Sequence, residues 1–499
     1  MSISAAYDAN DALGLARLVR DKEVSPRELL EEAVARADRL NPTLNAVVTP
    51  MTGEARRRVE EGLPDGPLHG VPFLLKDLAA PYAGVPLRSA SHAYDGYVPK
   101  QHAEIVRRYL AAGLVVFGRT NSSEWGILPT TESRRYGPCH NPWKLGTTTG
   151  GSSGGAAAAV AARIVPVAHG GDAGGSLRIP ASCCGVFGLK PTRGRNPFGP
   201  DLSERAHGLA AEHVVSLSVR DSAAFLDATA GPEVGAPYWA PPKEGAYLDE
   251  VGRDPGKLRV AYTSRPLLPG EHHPDPRRAV EDAAKLLASL GHEVEEVHPP
   301  VDAHPVARAF FTLYCAGVAG EIQAVARFLG RPARPSDVET TTWMMGMIGS
   351  RLLSAGDFSL AIRDLQAMAR AVLRFHETYE VLLTPTLGKP PVPHGALGPQ
   401  GLEKRIQETV ARYDLGFALR APGMLDKAIA RAYAFTPFTM IANITGQPSM
   451  SVPLHWNAEG LPIGVCLTAR FGGEATLFRL AGQLEQARPW AAKKPPHTA

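Results

Sequence analysis

Residues 149–195 read TGGSSGGAAAAVAARIVPVAHGGDAGGSLRIPASCCGVFGLKPTRGR. The stretch contains two glycine-lined serine sites, Gly150 to Gly155 and Gly170 to Ser176, joined by a small-residue segment and a short apolar one. Glycine lets backbone N–H groups approach a ligand closely and adopt dihedrals that other residues avoid. A serine among glycines is therefore a candidate nucleophile beside main-chain donors. Two such sites this close together suggest one composite active site, with a helix predicted over Ala156 to Arg163 and strands over Ile164 to Ala168 and Gly185 to Leu189.

Outward from there, the pattern alternates strand and helix. A strand is predicted from Gly70 to Leu75, ending at Lys76-Asp77. A helix follows over Glu104 to Ala112, then a strand over Leu114 to Phe117. Toward the N-terminus, residues 9–40 form a helical lead-in, where Ser25-Pro26-Arg27-Glu28 spells a capping box with proline at the first helical position. Beyond the central stretch, Gly231 to Pro255 reads as a surface connection rich in Pro, Gly and charge. LRVAYTS, PRRAVEDAAKLLASLG and HEVEEV then make a β-α-β unit. Residues 305–380 are mainly helical and lead to a strand over Val381 to Leu383. A final strand pair, Ser449 to Val452 and Pro462 to Thr468, precedes a C-terminal helix. This alternation predicts an α/β layer fold around a large, mostly buried sheet.

Composition limits the partners. The 499 residues carry a net charge of +3 with both signs interspersed, which gives no electrostatic footprint for nucleic acid or an anionic membrane. No apolar run approaches the ~18 residues that span a bilayer, and the first residues lack a signal-peptide pattern. The five cysteines (Cys139, Cys183, Cys184, Cys315, Cys466) show no paired framework spacing, so a reduced, cytoplasmic compartment is expected.

The glycine-serine sites fit several known chemistries unequally. A Walker loop needs Lys and then Ser or Thr after its last glycine, where this chain has Ala156-Ala157. Gly150-Gly151-Ser152-Ser153-Gly154 matches a nucleophile elbow, but a polar, loop-like segment precedes it instead of a buried strand. No metal site is expected: there is no H-E-x-x-H, and His272-His273 sits in a loop where solvation is the simpler reading. In the remaining reading, Ser176 is the nucleophile and the N–H groups from Gly170 to Gly175 form an oxyanion hole. It needs a base, and a buried lysine can serve if it is neutral. An unperturbed lysine is neutral in about one molecule in 2,500 at pH 7, and lowering its pKa by ~3 units takes roughly 4 kcal/mol. Lys76, at the end of an apolar strand, is the candidate, although an isolated lysine there ordinarily keeps its head in water.

The full set of motifs resembles the amidase signature family, serine hydrolases that cleave carboxamides. The matching text is GVPFLLKD at 70–77, GGSSGG at 150–155, GDAGGSLRIPA at 171–181 and GLKPTRGR at 188–195. Thr120-Asn121 with Glu124, Asn141-Pro142, LLTPT at 382–386, and the closing TGQPSMSVP and GLPIGV extend it from about residue 5 to about residue 490.

The resemblance implies a single domain over 1–499: a helical lead-in (1–65), a catalytic core (66–230), a variable substrate-pocket region (231–380) and the C-terminal part of the core (381–499). It implies a large, mixed, twisted central β-sheet covered by helices on both faces. It assigns Lys76 as base, Ser152 as the bridging serine after a cis peptide bond, and Ser176 as nucleophile. Ala173, Gly174, Gly175 and Ser176 become the oxyanion donors, and Asp172 with Arg178 a bracing ion pair. Ser153 is expected either to hydrogen-bond Lys76 or to cap the following helix. No cofactor or metal is implied, the partner is a small-molecule amide, and a homodimer is left open.

The wording is similar to the branch containing 6-aminohexanoate cyclic-dimer hydrolases. There a cysteine on a helix lines the pocket, a place Cys315 would take; a small core residue is the competing reading. The amidase subunit of a tRNA-dependent glutamine amidotransferase is the alternative. Against it, Ala173 stands where that subunit has Thr, and no E-V-x-R-R-I stretch is found between 330 and 365.

Overall fold

The structure is a computed structural model describing residues 2–270, 272–420 and 423–499. Eleven strands form one sheet. In chain order they are β1 (Val47–Pro50), β2 (Pro72–Lys76), β3 (Val115–Thr120), β4 (Val167–Asp172), β5 (Phe187–Lys190), β6 (Ala211–Ser216), β7 (Arg259–Tyr262), β8 (Glu293–Glu296), β9 (Val381–Pro385), β10 (Ser449–Trp456) and β11 (Pro462–Ala469). Across the sheet the order is β1-β3-β2-β4-β6-β5-β10-β11-β9-β7-β8. The β3-β2-β4 and β9-β7-β8 neighbours are parallel and the other pairs antiparallel, so the sheet is mixed.

Successive residues of a strand face opposite sides of its sheet. Phe73, Leu74 and Leu75 on β2 are all fully buried in one apolar cluster, so both faces of the sheet are covered. The alanine-rich helix α1 (Gly154–Ala161) lies wholly within this cluster; its small side chains let the helix pack close to the sheet. A second cluster joins β5, β7, β9, β10 and β11 to the helices Pro274–Ser289 and Glu474–Ala487. A third is almost entirely helical and is built on α3 (Ala303–Leu329) with the helices Thr340–Arg351 and Ala355–Phe375. Between α1 and α3 in the chain lies α2 (Arg178–Cys184), which directly follows Ser176-Leu177.

Local signals at the N-terminus are realised in the predicted form. Ser25 Oγ accepts the Glu28 N–H at 3.2 Å, and the Glu28 carboxylate accepts the Ser25 N–H at 2.8 Å, opening the helix Pro26–Leu44. The β-α-β unit also forms, with β7 parallel to β8 around the helix Pro274–Ser289. One difference matters for function. The strand predicted to end at Ala168 instead starts at Val167 and continues to Asp172 as β4, because its two glycines pair in register with β6: Gly170 opposite His213 and Gly171 opposite Glu212.

Helix α3 is long and apolar enough, by length and composition, to cross a bilayer (mean hydropathy 1.3), a property hidden in the sequence because no apolar run is continuous. Half of its most apolar stretch is buried inside the protein, where it forms the centre of the helical cluster, as a core helix does.

Candidate active site

Strand β2 delivers Lys76 at its C-terminal end, with the whole side chain buried. Its Nζ donates to Ser152 Oγ at 2.7 Å across 76 residues of sequence. Burial drives the Lys76 pKa down from 10.5 to about 7; Arg205 adds to the lowering, while the carboxylates of Glu212 and Asp172 oppose it. Desolvation penalises the ammonium, so the neutral amine is abundant near neutrality.

Ser152 follows a cis peptide bond from Gly151. Glycine is required before it, since a Cβ there would come within 2.4 Å of the Thr130 carbonyl oxygen. The Ser153 N–H donates to the Ser176 carbonyl at 3.3 Å, which ties the two serine segments together. Ser176 lies at the junction between β4 and α2. Lys76, Ser152, Ser176, Asp172 and Ala173 all line one cavity of about 350 Å³.

Behind the nucleophile loop, Asp172 and Arg178 make a fully buried, two-pronged pair. Arg178 Nε reaches Asp172 Oδ2 and Nη2 reaches Oδ1, both at 3.0 Å. The Asp172 carboxylate also accepts the N–H groups of Gly175 (2.8 Å) and Leu177 (3.2 Å) and the amide of Asn443 (2.8 Å). Burial alone would raise the Asp172 pKa, but the charge and hydrogen bonds of Arg178, the Asn443 amide and the Lys190 charge overcome it and hold the group at about 2. Removing one partner of a buried, hydrogen-bonded pair typically costs about 3–5 kcal/mol. Asp172→Asn is therefore expected to lower the unfolding free energy by an amount of that order, read as a lower urea midpoint at unchanged slope. A midpoint within error of wild type would show that the pair does not brace the loop.

The amidase family profile matches residues 28–478 of the chain. The chain belongs to the amidase signature family. It is thus an amidase, a hydrolase of carbon–nitrogen bonds. A 6-aminohexanoate-cyclic-dimer hydrolase of Paenarthrobacter ureafaciens is 38% identical over 97% of this chain and 96% of its own length. An acylamidase of Rhodococcus erythropolis is 34% identical over 97% of this chain and 96% of its own. Among solved structures, a 6-aminohexanoate cyclic dimer hydrolase complexed with substrate superposes with a TM-score of 0.88 at 36% identity, covering 99% of this chain and 100% of that one. The mixed sheet clad by helices is the amidase signature fold that the motifs imply.

Three residues read from the motifs occupy places other than those expected. The Gly175 N–H is already committed to Asp172 Oδ1, so Gly175 is not available as an oxyanion donor. Its φ of +130° instead carries the backbone past Thr439, whose Oγ1 would lie 2.4 Å from any Cβ at this position. The N–H groups of Ala173, Gly174 and Ser176 have no acceptor among the described residues.

Ser153 contacts neither Lys76 nor the first turn of α1 through its hydroxyl, which donates to the Gly171 carbonyl at 3.3 Å. The first turn is served from other segments: the Gly154 N–H goes to Thr131 Oγ1 and the Gly155 N–H to the Asn121 carbonyl, each at 3.1 Å. Cys315 is fully buried in the helical cluster and does not line the cavity. Helix α3 turns Tyr314, Gly317 and Val318 toward the cavity instead, and burial pushes the Cys315 thiol well above its ordinary pKa.

The structure also adds residues that the motifs did not single out. Glu212, on β6, lines the cavity, and its Oε2 lies 2.8 Å from His169 Nε2 in a close but poorly aligned contact. His169 Nδ1 in turn accepts the Lys76 N–H at 3.3 Å, which places the ring proton on Nε2, facing Glu212. Thr439 donates its hydroxyl to the Gly174 carbonyl at 2.6 Å and so fixes the peptide ahead of Gly175. Asp172-Ala173-Gly174-Gly175 is thus held from both sides.

Proposed function

We propose that the chain hydrolyses a small carboxamide through a Lys76–Ser152–Ser176 proton relay and an acyl-enzyme. The observation that carries this reading is the 2.7 Å contact between Ser152 and a buried Lys76 whose pKa is lowered to about 7, opening with Ser176 onto one cavity. Ser176 Oγ attacks the amide carbonyl carbon; its proton passes to Ser152, and the Ser152 proton to Lys76 Nζ. The carbonyl oxygen takes up the negative charge and meets the N–H groups of Ala173, Gly174 and Ser176. Collapse breaks the C–N bond, and the relay returns the proton to the departing amine. Water then attacks the acyl ester by the same route in reverse roles, releasing the carboxylate and restoring Ser176.

For the substrate, the reading is a small linear or cyclic amide of the 6-aminohexanoate cyclic-dimer type. It is supported by near full-length likeness to hydrolases of that name. It is also supported by a cavity of about 350 Å³ with apolar walls that include Leu78, Trp125, Ile127 and Leu313, a size and character typical of small-molecule sites. The test is initial rates on a panel: an aryl amide, an aliphatic amide, the cyclic dimer and glutamine. Turnover of the cyclic dimer exceeding that of glutamine is expected. Exclusive release of ammonia from glutamine would move the assignment to an amidotransferase subunit.

A further inference from the structure

The cavity wall also includes a segment that no motif touches, residues 202–207, which contributes Leu202, Glu204, Arg205, Ala206 and His207. Its acidic neighbours are already engaged. Glu204 accepts the Gly208 N–H, and Glu321 accepts the Tyr94 hydroxyl at 2.5 Å. Asp172 is held by Arg178, and Glu212 faces His169. The half-buried Arg205 guanidinium has no carboxylate or carbonyl acceptor among the described residues. Its charge nonetheless acts on Lys76 and Tyr314, which line the same cavity, and on Tyr94.

The backbone around Arg205 is fixed. The Arg205 carbonyl accepts the Ala210 N–H at 3.4 Å, the Ala206 carbonyl accepts the Leu209 N–H at 3.2 Å, and Arg193 donates to the Gly208 carbonyl. A guanidinium left with open donors in a cavity walled by both apolar and polar groups matches a planar anion, and a carboxylate satisfies it with two parallel hydrogen bonds.

Resting on the amidase reading, we infer that Arg205 is a specificity residue that favours amides bearing a free carboxylate elsewhere in the molecule. The scissile carbonyl meets Ser176, an alkyl stem crosses the apolar wall, and the carboxylate ends at Arg205. On this inference a linear amide with a terminal acid is preferred over an otherwise similar neutral one.

The experiment compares 4-nitroanilides of the dicarboxylic series from succinyl to adipyl with neutral isosteres in which an isopropyl group replaces the carboxylate. Wild type, Arg205→Gln and Arg205→Lys are assayed at low and high salt. The expected result is a wild-type preference for at least one acid over its isostere. Arg205→Gln should cut that preference at least tenfold, mainly through KM, and Arg205→Lys should restore part of it. The preference should also shrink with added salt, as expected for a partly exposed charge pair. An acid-to-neutral ratio that is the same in wild type and Arg205→Gln across the whole series overturns the inference while leaving the amidase reading intact. Failure of wild type to cleave any anilide, or any amide of the panel above, overturns the amidase reading and this inference with it.

Discussion

Ser176→Ala is expected to lower kcat by about 10⁴- to 10⁶-fold on any amide the wild type hydrolyses, the range seen when a serine hydrolase loses its nucleophile. Ser176 is placed for attack at the end of β4, on the cavity wall beside Ala173. Alanine removes only a hydroxyl that makes no hydrogen bond among the described residues, so the fold should be retained and thermal unfolding should match wild type. Any residual rate would come from the free N–H groups of Ala173, Gly174 and the residue at 176, which still stabilise the oxyanion for attack by water. Mass spectrometry with a slowly deacylating aryl ester should show an adduct on wild type and none on the variant. A variant with wild-type turnover, or an adduct that persists without Ser176, would move the nucleophile elsewhere.

How far the sequence reaches can be judged from particular residues. Ser152 and Ser176 are legible from their glycine-rich runs, whereas Lys76, at the end of an ordinary apolar strand, is assigned by the family resemblance; the structure brings all three to one cavity. Ser153 and Gly175 depart from their expected contacts for a shared reason. Both lie in glycine-rich text where backbone groups outnumber local partners, and their bonds are decided by chain distant in sequence or by how a side chain folds back. The Asp172 carboxylate turns onto the Gly175 N–H, and Thr131 and Asn121 take the cap that Ser153 would have supplied. Cys315 shows a different limit. On a helix whose residues 309–313 are all buried, periodicity does not say which face meets the cavity, and Tyr314 rather than its neighbour does.

Glu212 and Arg205 carried no signal of their own. Glu212 reaches the site because β6 pairs with β4, placing it opposite Gly171, where the missing side chain leaves room for its carboxylate. Strand β6, AEHVVS, has polar residues buried on both faces, so it lacks the alternation by which a half-exposed strand is recognised. Arg205 sits in irregular chain, where no periodicity exists to read.

Lys76→Met is expected to lower kcat/KM by about 10³- to 10⁴-fold, on the scale of losing a general base. The substitution keeps a long apolar stem in the buried slot but can accept no proton. Its diagnostic is the pH profile. Lys76 must be neutral to act, so wild-type kcat/KM should fall about tenfold per unit as pH drops below about 7 and level off above it. The shape alone does not identify the group, because a second buried lysine, Lys190, is also held at about 7 by desolvation, reinforced by the Arg178 charge. Geometry separates them. Lys190 Nζ donates to the Pro191 carbonyl at 2.8 Å and does not line the cavity, whereas Lys76 Nζ is 2.7 Å from Ser152. The acid limb should therefore persist in Lys190→Met and be lost in the residual activity of Lys76→Met. If the limb instead disappears with Lys190 and survives the loss of Lys76, the base has been assigned to the wrong lysine, and the relay through Ser152 has no proton acceptor at its end.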